Sequence, residues 1–146
     1  MINIRKVNER DLSQISLLFA QFGEGAPDLE QMMDIFNNYK ENPDYLYICA
    51  EEDGQIVGSI TGVRCYHLLT QYSPYMVLET VIVHEEHRGK GIGKKLMLKV
   101  EEIARKKACK EIMFVSSAHR KKAHKFYELL GYELDVVQGF RKSLEE

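Results

Sequence analysis

From Met76 to Val83 the chain is nearly all apolar and β-branched, and after five polar residues it reaches glycines at 89, 91 and 93. Such an apolar run is expected of a strand covered on both faces. After the glycines, Leu96, Met97, Val100, Ile103 and Ala104 recur at helical spacing with Lys and Arg between them, so the turn joins a buried strand to an amphipathic helix. A further strand-like run, Glu111 to Ser117, completes one right-handed βαβ crossover from Met76 to Ser117. The rest of the fold has to be built around that unit.

Upstream, Ile2 and Ile4 alternate with polar neighbours as a first strand, and Asp11 is placed to cap a helix carrying Leu12, Ile15, Leu18, Phe19 and Phe22 up to Gly23 and Gly25. Leu29 to Tyr39 fits a second helix. Tyr45–Glu51 and Gln55–Val63 read as strands joined across Glu52-Asp53-Gly54, where Asp-Gly signals a tight hairpin turn. Arg64 to Tyr75 has no clear period and reads as a functional loop or hairpin. Downstream, Arg120–Leu130 is a helix ending at Gly131, and Tyr132–Leu144 a closing pair of strands. The order β-α-α-β-β-β-α-β-α-β-β predicts an α/β fold with a mixed, mostly antiparallel sheet and helices on both faces. With 146 residues, no repeat and no linker, residues 1–146 are expected to form a single domain.

No apolar run approaches the roughly 18 residues of a membrane span, and Met1–Arg10 lacks the apolar block of a secretion signal, so a cytoplasmic protein without membrane partners is expected. The three cysteines, Cys49, Cys65 and Cys109, are widely spaced and contain no Cys-x-x-Cys pair, as expected of reduced thiols. Net charge is −2, yet residues 1–87 carry about −9 and residues 88–146 about +7. That polarity suggests an anion received by the second half and a cation by the first.

Glycines at alternate positions remove the Cβ atoms that would shield the backbone, so successive N–H groups can face one concavity backed by a helix N-terminus. A phosphate or pyrophosphate suits such a turn, and Arg88, Lys90, Lys94 and Lys95 bracket it. The commonest nucleotide cradles do not fit. A dinucleotide fingerprint would need glycine at Lys94, or a small residue at Leu96, and a Walker A loop would need Ser or Thr at Lys95.

Arg88-x-x-Gly91-x-Gly93 resembles the acetyl-CoA loop of the GCN5-related N-acetyltransferases (GNAT). Leu78–Val83 is similar to that family's central strand, and Ala123-x-x-Phe126-Tyr127-x-x-x-Gly131-Tyr132 to its late helix. The resemblance implies a sheet that splays between its fourth and fifth strands to admit coenzyme A. It implies main-chain contacts from Val81, Ile82 and Val83 to the pantetheine arm, and a pyrophosphate held by Arg88, Gly89, Lys90, Gly91, Ile92, Gly93 and Lys94. An extended amide-bearing arm pairing with a strand edge is also what physical chemistry favours. For the 3′-phosphate, Lys90, Lys94, Lys122 and Lys125 remain open.

Transfer of an acyl group to an amine needs a base for the ammonium proton and an acid for the departing thiolate. Glu79 is the sole acid in the central strand and is expected to share a buried face with Val77, Val81 and Val83, raising its pKa toward that of a base, acting directly or through water. The resemblance places Tyr127 as the acid. Ala123, Phe126 and Leu130 are expected to form the helix's packing stripe, with Tyr127 one step off it. Arg120 stands where many family members carry Asn, so that contact is not carried over. His84 and His87 miss the zincin spacing, and no metal is expected. The Arg105–Lys107 and Arg120–Lys122 clusters have no interleaved aromatics and are read as solvated helix faces, not a nucleic-acid surface.

The expected activity is acetyl transfer from acetyl-CoA to a primary amine of a small, cationic acceptor in a ternary complex, with a homodimer possible. The alternatives are a non-catalytic acyl-CoA sensor, or acetylation of protein lysines or N-termini. Cys65 leaves a ping-pong variant open.

Overall fold

The tight turn at Asp53-Gly54, both residues with positive φ, folds strands β2 (Tyr45–Glu52) and β3 (Gln55–Cys65) into the predicted hairpin. This computed structural model of the chain describes residues 1–145. Strand β1 (Asn3–Lys6) pairs antiparallel with β2, β3 pairs antiparallel with β4 (Tyr75–Val83), and β4 pairs parallel with β5 (Ile112–Met113). The sheet order is β1-β2-β3-β4-β5, mixed and mostly antiparallel as the element order predicts.

Helix α1 (Leu12–Phe19) packs Ile15 and Leu18 against Cys49, Ile56 and Ile82 on one face of the sheet. Helix α2 (Leu29–Tyr39) lies on the same face, where Phe36 meets Tyr47 and Tyr39 meets Tyr45. The other face belongs to the crossover helix α3 (Ile92–Lys106), whose Ile92, Leu96, Met97, Val100 and Ala104 are buried. There the sheet is pared to the backbone at Gly58, where an added Cβ would come within 3.0 Å of Leu96 and 3.2 Å of Ile92. Among the described residues no helix is long and apolar enough to cross a membrane. Burial pushes the Cys49 thiol up to about 11, which keeps it an inert core group, and all three cysteines are free.

Two compact units divide the chain, Met1–Met113 and Phe114–Glu146. The second is built around helix α4 (Lys121–Leu129), with Phe114 edge to face against Tyr127 and Tyr132.

Four local expectations are corrected. Asp11 does not cap α1: Arg5 grips its carboxylate at 2.7 and 2.9 Å, and the same carboxylate accepts from the Asn8 N–H at 2.8 Å. The run predicted at Glu111–Ser117 forms a strand only at Ile112–Met113. Tyr132–Leu144 forms no strand among the described residues, since Asp135 takes a left-handed φ of 62° that interrupts the extended run. On α4, Tyr127 is the buried residue while Ala123, Phe126 and Leu130 are half-buried, because positions 123, 127 and 130 make as good a helical stripe as the predicted one.

Candidate active site

Strand β4 changes phase in its middle. Glu79 pairs with Thr61 and Ile82 with Ser59, so Thr80 and Val81 together oppose the single residue Ile60. Thr80 adopts φ 48°, a left-handed conformation that costs a non-glycine residue about 1–2 kcal/mol and marks a β-bulge. Before the bulge, Val77 and Glu79 lie on the α1–α2 face; beyond it, Ile82 occupies that face and Val83, opposite Gly58, has crossed to the α3 face. The expected common face of Glu79, Val77, Val81 and Val83 is therefore broken, and Glu79 is exposed instead of buried. Its carboxylate has no hydrogen-bond or ionic partner among the described residues. Across the sheet it forms a row with Thr61 and Tyr47.

Pairing between β4 and β5 ends at Val77–Met113, so that edge of β4 has no strand partner from Leu78 to Val83 among the described residues. The chain then makes a short 3-10 turn at Glu85–His87 and enters the glycines. Gly89 and Gly91 have φ of 78° and 82°, and nothing lies within 4 Å of where a Cβ would stand on either. Gly91 is the N-cap residue of α3 and provides no side-chain cap, while the first turn carries no acid. The leading N–H groups of α3 thus face outward with the positive end of the helix dipole behind them.

Charge follows the same plan. Along α3, Lys99 and Lys106 pair with Glu102, and Arg105 with Glu101. Lys94 and Lys95 at its start, and Lys90 before it, have no ionic partner among the described residues. Arg88 donates from Nε to the Val83 carbonyl at 3.2 Å, which anchors its guanidinium beside the turn. Open strand edge, glycine turn, uncapped helix start and unpaired cations fit an extended amide-bearing arm ending in a diphosphate. Val81, Ile82 and Val83 would meet the arm, and Arg88 to Lys94 the diphosphate.

In the second unit, the Tyr127 ring is 6% exposed and is packed by Phe114, Phe126 and Tyr132. Its hydroxyl has no hydrogen-bond partner among the described residues, yet it is not one of the buried orphan atoms there, which are His87 Nδ1 and Ser116 Oγ. A buried ring therefore ends in a hydroxyl with no hydrogen-bond partner among the described residues. Burial pushes the phenol above its ordinary pKa, partly opposed by the Arg120 cation, so it remains protonated at neutral pH.

Two features carry no signal in the sequence. Thr80 is the first, since threonine does not advertise a left-handed bulge. Gln21 is the second: its Oε1 accepts from the Glu85 N–H at 2.8 Å and its Nε2 donates to the Val83 carbonyl at 3.4 Å, bonds that span more than 60 residues. Among the described residues no three His, Cys, Asp or Glu side chains gather as metal ligands.

A mixed sheet with an anion-shaped turn at the head of its crossover helix defines an α/β domain built to grip a phosphate-bearing coenzyme. The Acetyltransferase (GNAT) family model matches residues 11–132, and the chain belongs to that family of acetyl-CoA-dependent acyltransferases. It is 28% identical over 138 residues to the uncharacterized N-acetyltransferase YhfO of Bacillus subtilis, covering 92% of each chain. It is 29% identical to the thialysine N-epsilon-acetyltransferase of Mus musculus, covering 88% of this chain and 82% of the mouse protein. A solved structure of AAC(6′)-Iy in complex with a bisubstrate analogue, CoA-S-monomethyl-acetylneamine, superposes with a TM-score of 0.79 at 25% identity, over 98% of this chain and 99% of that one.

Proposed function

We propose that this acetyltransferase moves an acetyl group from acetyl-CoA directly to the primary amine of a small, cationic acceptor, and that both units act as one catalytic domain. The observation that carries this reading is an imbalance of unpaired charge: cations outnumber the acids Glu85 and Glu86 around the glycine turn, and acids outnumber Lys40 along the α1–α2 segment. Lys90, Lys94 and Lys95 stand free around the glycine turn, while Glu24, Glu30, Asp34 and Glu79, in the α1–α2 segment and on the sheet face it covers, have no ionic partner among the described residues. The first set suits a polyanionic coenzyme and the second an ammonium. The names of relatives point the same way, since thialysine and an acetylneamine conjugate are amines or derivatives of amines.

Acetyl-CoA supplies an acyl carbon activated as a thioester. Glu79 takes one proton from the acceptor ammonium, directly or through water, and passes it to solvent; the neutral amine then bonds the acyl carbon, and its second proton leaves to solvent as the tetrahedral intermediate collapses. Tyr127 gives its proton to sulfur as the carbon–sulfur bond breaks, and is recharged from solvent through its free hydroxyl. A covalent route through Cys65 is disfavoured by reach: it lies four residues along β3 from Thr61, the partner of Glu79, or about 13 Å at the rise of a strand.

The test is thiol release from acetyl-CoA across a panel of polyamines, aminoglycosides, amino-acid derivatives and lysine peptides. Turnover with a small cationic amine is expected, and Glu79→Gln and Tyr127→Phe should lower kcat while leaving coenzyme affinity within about twofold. Coenzyme binding without thiol release from any amine would instead identify a sensor.

A further inference from the structure

Among the described residues, the Val83–Arg88 backbone, which delivers the chain from the β4 edge into the glycine turn, is hydrogen-bonded by three side chains, while Glu52 pairs with the His87 ring at 3.7 Å. His84 Nδ1 accepts from the Glu86 N–H at 3.2 Å, and Arg88 donates to the Val83 carbonyl. Both of these are local. Gln21 is the third, and it alone comes from elsewhere in the chain, meeting the Glu85 N–H and the Val83 carbonyl with the two ends of its amide.

What Gln21 is attached to gives that contact its meaning. Seven residues earlier, Gln14 accepts from the Ile56 N–H at 2.9 Å and fixes the body of α1 to the start of β3. Gln21 lies in the 3-10 turn Ala20–Phe22, immediately before Gly23 and Gly25, whose φ values are 91° and 81° and around whose Cβ positions nothing lies within 4 Å. The Ser16 hydroxyl donates to the Pro27 carbonyl at 3.0 Å and closes the far end of this joint. Residues 23–27 are thus a glycine-bearing connection with a pinned end at Pro27 and, at Gln21, an end that continues from α1, where the Gly23 N–H donates to the Ala20 carbonyl at 3.1 Å, and whose side chain reaches the Val83–Glu85 backbone. The joint leads into α2 on the sheet face that carries Glu79.

We infer that Gln21 is a positioning residue that couples the two substrate sites, so that filling the coenzyme turn orders residues 23–27 and tightens binding of the acceptor. The inference rests on the reading that this turn receives coenzyme A and that the acceptor lies on the α1–α2 face. Its physical basis is shared ordering: a ligand that immobilises Val83–Arg88 also immobilises the amide of Gln21, and the second ligand then meets a joint whose conformational entropy is already reduced. By linkage the effect is reciprocal, and a bound acceptor raises coenzyme affinity by the same factor.

Hydrogen exchange followed by mass spectrometry, with and without coenzyme A, tests this alongside steady-state kinetics. In the wild type, coenzyme A should slow exchange both in the turn at residues 83–93 and in the joint at residues 22–26. In Gln21→Met, which keeps the side chain's length and loses both bonds, protection of the turn should persist while protection of the joint disappears. The acceptor KM should rise about fivefold with kcat little changed. Gln21→Glu, which keeps the 2.8 Å acceptor bond, should restore part of the coupling. Gln14→Met serves as the structural control and should lower thermal stability with coupling intact. Joint protection that survives in Gln21→Met overturns the inference. Absence of turn protection in the wild type overturns the coenzyme-site reading beneath it, a result distinguishable from the first.

Discussion

The proposed coenzyme turn and the proposed acceptor face are made of different materials. Between Leu78 and Lys94 the groups presented are backbone N–H groups, an open strand edge and the start of a helix, with side chains adding only charge. On the α1–α2 face the groups are side chains: Glu79, Thr61 and Tyr47 in a row, with Tyr39 and Tyr45 tilted against each other beside them, ring centres 4.6 Å apart. A backbone site depends on glycine, and glycine is visible in a sequence. A side-chain site can be rewritten one residue at a time without disturbing the fold, so the same scaffold can serve many amines.

That contrast can be broken by substitution. Tyr127→Phe should have the largest effect, reducing kcat by about a hundredfold or more while coenzyme binding holds, because general acid catalysis is worth that much. Its pH profile should also mark Tyr127: in the wild type, activity supported by the protonated phenol is present below its raised pKa and is lost as pH climbs through it, above the ordinary value near 10. Gly91→Val places a β-branched residue at φ 82° and should weaken coenzyme A binding, measured by calorimetry, about tenfold or more, with the folded α1–α2 face retained. Glu79→Gln should lower kcat about tenfold and leave the coenzyme Kd unchanged, the reverse of the glycine variant. Equal effects of these two on the coenzyme Kd would dissolve the distinction between the regions.

Asp11→Asn is the smallest perturbation and should touch neither site. The Arg5 guanidinium holds the Asp11 carboxyl below its ordinary range, so the pair stabilises the fold above about pH 4, and that contribution is lost as pH falls through the lowered pKa. Removing it should cost about 1–2 kcal/mol near neutrality, a few degrees in Tm, and should flatten the acid limb of the stability profile.

The parts of this molecule that announce themselves in sequence are those fixed by local chemistry. Asp53-Gly54 demands a tight turn, Leu29–Tyr39 has a helical stripe with Asp28 accepting from the Gln31 N–H at its start, and the glycines demand an exposed backbone. What stayed hidden depends on partners far along the chain. Asp11 looks like a cap until Arg5 folds beside it, and Gln21 looks like surface until Glu85 arrives. Glu79 was legible as the one acid of a central strand. Its exposure was not, because strict alternation presumes a regular strand and Thr80 breaks the count.

The extra residue at Thr80 makes β4 work as two half-strands of opposite parity on a single continuous chain. Ahead of the bulge, side chains are presented to whatever lies under α1 and α2; behind it, the strand offers mainly its open edge to a ligand that asks for main chain. On the proposed function, exchanging side chains upstream of position 80 would change which amine is welcomed without retuning the coenzyme grip. Deleting Thr80 would remove the extra residue, leave Glu79 opposite Thr61 and Ile82 opposite Ser59, and turn β4 into one regular strand without the left-handed kink between its halves.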